Sequence, residues 1–216
     1  MKRIIKGTEP TKLIEYRNTE NASYKNLPTM TKTIIRNQLL EEQGYICCYC
    51  LSRIPHSKVP INMQMKIEHF LPESGETKSE ELVYKNLFAA CNGNEGLPSD
   101  VQQCDTHKKN NIITLNPLDE FIEDQFIYKQ DGYLKTDDSS KQHEVDDILN
   151  LNNDKLVFCR KAAIDGTRDR LIRIKRKGIW NNDILQKEID KLYRKHEGKY
   201  TPYCLAAIQY LKRKMI

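Results

Sequence analysis

Five of the seven cysteines fall within residues 47–109, and their spacing constrains this chain more than any other feature. Cys47, Cys48 and Cys50 lie in one Cys-Cys-Tyr-Cys run, and Cys91 and Cys104 follow. Cys47 and Cys50 can present two sulfurs to one ion, and Cys91 with Cys104 can complete a tetrahedral set, so structural zinc is expected. A lone Cys-x-x-Cys would leave thiol-disulfide chemistry at Cys47, Cys48 or Cys50 in competition. The second pair favours zinc, because Cys91 and Cys104 are too far apart for an independent redox couple and the glycines between them let the chain fold back. Two alternatives stay open: Cys48 in place of Cys50, and His107 in place of Cys104. Cys48 is otherwise expected as a buried thiol on the other side of the turn, and Cys159 and Cys204 as packed free cysteines in helices.

Around this block the periodicity predicts an α+β protein, mainly helical outside a small metal-centred core. Residues 1–43 read as a packed arm, a short helix near 12–17 and a buttressing helix capped by Thr29 or Thr31, with Ile34, Ile35, Leu39 and Leu40 on its apolar side and Gly44 at its end. Residues 44–120 form the core. Within it, 45–53 reads as strand, turn and return strand, 54–64 as loop, 65–70 as strand, 73–80 as exposed insertion, 82–90 as a helix and 91–104 as an irregular bridge. Residues 121–216 contain a hairpin with a two-residue Asp131-Gly132 turn, a loop at 137–141 and a basic helical remainder. Asn152 or Asn153 caps the first long helix there, with Leu156, Val157, Ala163 and Ile164 inward. Further helices cover 183–194 and 202–212, with Pro202 in the first turn of the last.

Charge is divided between the two ends. Residues 153–216 carry 17 basic and 7 acidic side chains, a net +10 that leaves −5 for residues 1–152. Such a field attracts a polyanion. Arg168, Arg170, Arg173, Lys175, Arg176 and Lys177 are the candidate phosphate contacts. No glycine-rich phosphate loop is present, which argues against this chain being its own ATPase. The basic first residues lack a following apolar run, and no segment approaches a membrane span, so a cytoplasmic protein is expected.

Glu68 and His69 are adjacent, and a regular strand would send them to opposite faces. If the strand ends or bends there, Glu68 can hold a hard divalent cation while neutral His69 takes a proton from water. Oxygen ligands and phosphate point to Mg²⁺, with Mn²⁺ as the other choice.

Together these residues resemble the HNH, or ββα-metal, endonuclease family. The matching elements are Cys47 and Cys50, then Glu68-His69-Phe70-Leu71-Pro72, then Asn86-Leu87, and finally Cys104 with Lys108. The resemblance covers residues 44–117. It implies a zinc-stabilised ββα-metal core, His69 as general base, Glu68 as metal ligand and Asn86 as the residue orienting the base or its loop. Asp105 takes the last catalytic position and completes the divalent-ion site, with His107 as competing ligand, and Lys108 contacts phosphate. The pattern departs from the family between Cys91 and Cys104, where the usual two residues are replaced by a longer Asn- and Gly-rich insertion. The runs Gly-Tyr-Ile-Cys-Cys-Tyr-Cys, Ile-Glu-His-Phe, Tyr-Lys-Asn-Leu-Phe, Cys-Asp-x-x-Lys-Lys-Asn and Leu-Asn-Leu-Asn are also similar to the PtuB-type HNH subunits of Septu antiphage defence and to retron-associated HNH effectors. That narrower resemblance implies DNA as substrate and an ATPase partner of the PtuA type. A zinc-stabilised module that binds nucleic acid or an ATPase without cleavage would use the same cysteines and basic helices.

Overall fold

The computed structural model describes residues 1–54, 65–73, 79–174 and 180–215. Helices among them are α1 (Thr11–Arg17), α2 (Thr29–Glu42), α3 (Cys104–Lys108), α4 (Ser139–His143), α5 (Asp154–Ile174), α6 (Asn182–Tyr193) and α7 (Cys204–Lys212). Strands β1 (Met65–His69) and β2 (Leu87–Cys91) form one antiparallel pair, and β3 (Ile127–Tyr128) and β4 (Leu134–Lys135) form another. The class is α+β. Most of the loop expected over 54–64, and residues 74–78 of the expected insertion, lie outside the described residues.

The amphipathic pattern of α2 places Ile35, Leu39 and Leu40 in the core, each fully buried. Neither Thr29 nor Thr31 caps it: Pro28 occupies the cap position, Thr29 is the first helical residue and Thr31 is buried. Proline's fixed φ suits the entry to a helix, where a missing N–H costs little. At the other end Gly44 and Tyr45 both adopt positive φ, +57° and +60°, and turn the chain into the cysteine loop. That loop closes as a single antiparallel bridge, Ile46 to Arg53, with the cysteine turn between.

The helix expected over 82–90 does not form. Tyr84–Asn86 make one 3₁₀ turn, and Leu87–Cys91 is then β2, buried at every residue. A short apolar run buried on both faces cannot be told from a buried helix by periodicity alone. Partners decide it. β2 pairs along its length with β1, from Met65 opposite Cys91 to His69 opposite Leu87. Its middle is held by the cysteine turn and α2: the Cys48 amide donates to the Ala89 carbonyl at 3.0 Å, and the Gln43 amide donates to the same carbonyl and accepts from the Ala89 N–H. A primary amide that both donates and accepts lets one glutamine satisfy backbone groups that water cannot reach.

The order β1, β2, α3 is therefore strand, strand, helix. In β1, Cys91's partner Met65 and the terminal His69 are four residues apart, about 13 Å at the rise of a strand. α3 packs against β2, and the N-terminal arm reaches the same core through Lys6. Its ammonium donates to the Leu87 carbonyl, lies over the Tyr84 and Phe88 rings and pairs with Glu42; burial lowers its pKa to about 8.

In the C-terminal part the hairpin has a three-residue loop rather than the expected two-residue turn. Lys129 still bonds to Tyr133, and Gly132 sits at φ +96° with its α-carbon pressed on the Val157 carbonyl of α5, where a side chain has no room. The expected loop at 137–141 is instead the start of α4, because the Asp138 carboxylate caps it through the Ser140 and Lys141 amides. A π-helical turn, Glu144–Ile148, continues α4, and the buried Glu144 binds the Thr114 and Leu115 amides. Asn153 caps α5 through the Leu156 amide. Leu156 and Ile164 are buried as expected, whereas Val157 and Ala163 are only half-buried. α7 packs on α5, α6 and β3. It begins at Cys204 rather than at Pro202, because Tyr203 takes a left-handed conformation and the helix starts after it.

Candidate active site

Four sulfurs meet where the cysteine turn, the end of β2 and the start of α3 converge. The Cys47 and Cys104 sulfurs are 3.9 Å apart, as are those of Cys50 and Cys91, and all four lie within 4.8 Å of one another. Zn–S bonds of about 2.3 Å in a regular tetrahedron place the sulfurs about 3.8 Å apart. The cluster could therefore hold zinc with sulfur shifts of no more than about 1 Å. All four residues are at most 8% exposed, and no disulfide joins any of the seven cysteines. Burial first holds the Cys47 and Cys104 thiols well above the ordinary value, whereas hydrogen bonds from Cys104, Cys47 and Cys50 hold Cys91 well below it. Gln103 donates to the Cys91 sulfur at 3.8 Å. Cys48 lies outside the cluster, buried with its amide on Ala89, and His107 is turned away, its Nδ1 3.0 Å from the Ile148 carbonyl. Both alternative zinc ligands are thus displaced by geometry. The thiol-disulfide reading loses its reactive group as well, since Cys47, Cys48 and Cys50 are no more than 4% exposed.

One turn along α3, Lys108 is completely buried and reaches β1. Its ammonium donates to the Glu68 carboxylate at 2.9 Å and to the His69 carbonyl at 3.1 Å. The expected phosphate contact is therefore replaced by an internal ion pair. The Tyr49 hydroxyl, from within the cysteine turn, donates to the same Glu68 oxygen at 2.6 Å. Asp105 stands within hydrogen-bonding reach of Glu68. Burial first, then the Asp105 hydrogen bond and charge, push the Glu68 pKa well above the carboxylate range, against the opposing pull of Lys108 and Tyr49. Two carboxylates this close need a proton or a cation between them, and a hard divalent ion with oxygen ligands suits the pair. Lys66 supplies partial compensation, 3.5 Å from Asp105 and 2.8 Å from Glu95.

Replacing Lys108 by methionine leaves Glu68 buried beside Asp105 with its cation gone. The expected result is destabilisation of about 3–5 kcal/mol, read as a lower urea midpoint; an unchanged midpoint would show that the pair contributes nothing to folding.

β1 ends at His69, so the imidazole and the Glu68 carboxylate both line one open cleft of about 490 Å³ together with Asp105. The His69 Nε2 lies 3.0 Å from the Glu81 carbonyl, which can only accept, so Nε2 carries a hydrogen. Nδ1 is 3.0 Å from the Glu73 carboxylate, and the Tyr24 ring packs edge-on to the imidazole at 4.3 Å. Asn86 anchors the segment after His69: its side chain accepts from the Leu71 amide at 2.7 Å and donates to the carbonyls of Leu71 and Glu80. The Phe70 amide donates to the Asn86 carbonyl at 3.0 Å. Tyr49, Glu73, Glu81 and Tyr24 were not among the residues singled out from sequence. Only Tyr49 carried a local signal, as a hydroxyl inside the metal-binding turn.

None of the arginines expected to bind phosphate from α5 lines this cleft. Arg168 pairs with Asp165 and Asp169, Arg170 pairs with Glu188, and Arg173 is exposed on the last turn. Lys175, Arg176 and Lys177 lie outside the described residues.

Fold and site thus define an α+β chain whose four-cysteine group could hold zinc, beside a cleft bearing two carboxylates and a histidine. Among the described residues no helix is long and apolar enough to cross a membrane. No family model matches the chain. It is 28% identical over 142 residues to a Vibrio cholerae (serotype O1 biovar El Tor) protein named "Retron Vc95 putative HNH endonuclease". The match covers 62% of this chain and 65% of that protein, just under two thirds of its length.

Proposed function

We propose that this chain is a metal-dependent HNH endonuclease that hydrolyses DNA phosphodiester bonds, the nuclease subunit of an antiphage defence system controlled by an ATPase partner. The observation that carries the reading is the convergence of Glu68 and His69, at the end of β1, with Asp105, at the start of α3, on one cleft beside a zinc-fitting cysteine cluster. Similarity to the retron protein supports the nuclease class. The defence role and the ATPase partner rest on the sequence resemblance.

In this reading each residue has one task. His69 accepts a proton from water at Nδ1 once Glu73 releases that nitrogen, while the Glu81 carbonyl fixes the ring's orientation through Nε2. Asn86 keeps the chain after His69 at a fixed distance from β2. Tyr49 and Lys108 take one oxygen of Glu68 and leave the other for the cleft. A Mg²⁺ or Mn²⁺ ion held by Glu68 and Asp105 would stabilise charge on the scissile phosphate and on the departing 3′ oxygen. The expected products carry 5′-phosphate and 3′-hydroxyl ends.

The test is a Mn²⁺ titration of the zinc-loaded chain, followed by electron paramagnetic resonance. One ion is expected to bind to wild type in addition to zinc, and Asp105→Asn is expected to weaken it by about tenfold or more. Absence of a second ion would favour a zinc module that binds without cutting.

A further inference from the structure

We propose that Arg36 of α2 binds a DNA backbone phosphate at the rim of the cleft, adjacent to the phosphate that His69 faces. The inference rests on the nuclease reading and adds to it a substrate contact from outside the metal core.

Among the described residues three cationic side chains line the cleft: Arg36, Lys66 and Lys109. Lys66 is committed to Glu95 and Asp105. Arg36 is different. It is half-buried, its Nε is buried with no hydrogen-bond partner, and no ion pair holds it among the described residues. A buried donor without an acceptor is costly, and a guanidinium offers a planar fork of N–H groups that matches the oxygens of a phosphate. The buried Nε is out of a phosphate's reach, but the terminal N–H groups at the cleft, which no described acceptor pairs, are open to one.

Position argues the same way. Arg36 is close enough to Tyr24 for its charge to act on the phenol, and the Tyr24 ring packs on His69. Lys32, one turn earlier on the same face of α2, holds its ammonium 4.9 Å from the Tyr24 ring centroid. Arg36 and Lys32 thus make a cationic edge separated from His69 by one aromatic ring. Packing on Tyr24 alone would use the stem of Arg36 and explain its burial. It does not explain an arginine head with an unfilled donor in a wall that also holds His69, Glu68 and Asp105.

The experiment measures binding of a fluorescent mixed-sequence DNA duplex to the full zinc-loaded chain by anisotropy, over a series of salt concentrations and without added Mg²⁺ or Mn²⁺. Arg36→Gln is expected to weaken binding about tenfold and to reduce the slope of log K against log salt by about 0.9, the value of one phosphate contact. Arg36→Lys keeps the slope and recovers part of the affinity, and Lys129→Gln, an exposed change on the hairpin, alters neither. Affinity and slope equal to wild type in Arg36→Gln would overturn this inference alone. So would a loss that Arg36→Lys shares in full together with a lowered thermal midpoint, which marks a packing role. A wild-type chain without salt-dependent duplex binding would overturn the nuclease reading and this inference together.

Discussion

His69→Ala is expected to lower the single-turnover rate of DNA cleavage by about 10²–10⁴-fold, with zinc content and duplex affinity unchanged. The imidazole is 6% exposed, so a modest fall in thermal midpoint accompanies the change. The loss of rate is separable from it, because cleavage is measured well below that midpoint. The reason for so large an effect is orientation. Nε2–H on the Glu81 carbonyl leaves Nδ1 as the nitrogen that serves as base, and Nδ1 takes a proton from water once the Glu73 carboxylate, 3.0 Å away, gives up its contact. No other described cleft residue is a histidine that could take over. The assay compares double-stranded, nicked and single-stranded DNA in Mg²⁺ or Mn²⁺, with and without the native partner. Equal rates for folded wild type and variant would remove His69 from the reaction.

What could be read from sequence and what could not separate along a physical line. Cysteine spacing located the four sulfurs, because tetrahedral zinc restricts ligand number and the alternatives Cys48 and His107 differ from the true cluster only in the direction their side chains point. The α2 stripe was legible for the same kind of reason: Ile35, Leu39 and Leu40 repeat at helical spacing, and the helix needs nothing else. β2 was misread as a helix because Leu87, Phe88, Ala89 and Ala90 are buried on both faces, and the partners that make them a strand, β1 and Gln43, lie about 20 and more than 40 residues away along the chain. Local pattern carries no trace of such pairing.

The cations are hard to read from sequence for a related reason. A run of arginines on α5 looks like a polyanion surface, yet Asp165 and Glu188 neutralise two of them, at i−3 and across to α6. Lys108 looks like a surface lysine following a cysteine, yet α3 is a single turn, so the residue four positions after Cys104 must point into the same interior. Arg36 is nearly invisible in sequence: it is one polar residue on the outer side of an amphipathic helix. Its burden of unmet hydrogen bonding exists only once Tyr24 and β1 have closed around it.

Cys91→Ser is expected to remove stoichiometric zinc and abolish cooperative unfolding. The contribution of structural zinc, about 10–16 kcal/mol in small metal-folded domains, is as large as the whole stability of a typical domain, about 5–15 kcal/mol. One ligand lost from a closed four-sulfur site therefore exceeds the reserve of the core. Cys48→Ser is the matched control, equally buried but outside the cluster; it keeps its zinc and loses about 1–3 kcal/mol from a hydroxyl placed in an apolar position. Zinc-to-protein ratio by atomic emission and thermal melts by circular dichroism read both effects. Zinc-free wild-type protein with the same melting transition would mean that the four sulfurs are packed thiols. The two losses of activity are then distinguishable. α3 carries Cys104, Asp105 and Lys108 within a single turn, so a cysteine variant that frees its N-terminus also releases Asp105 from the cleft and Lys108 from Glu68. Cys91→Ser should thus lose cleavage, Mn²⁺ binding and fold together, whereas His69→Ala loses cleavage alone.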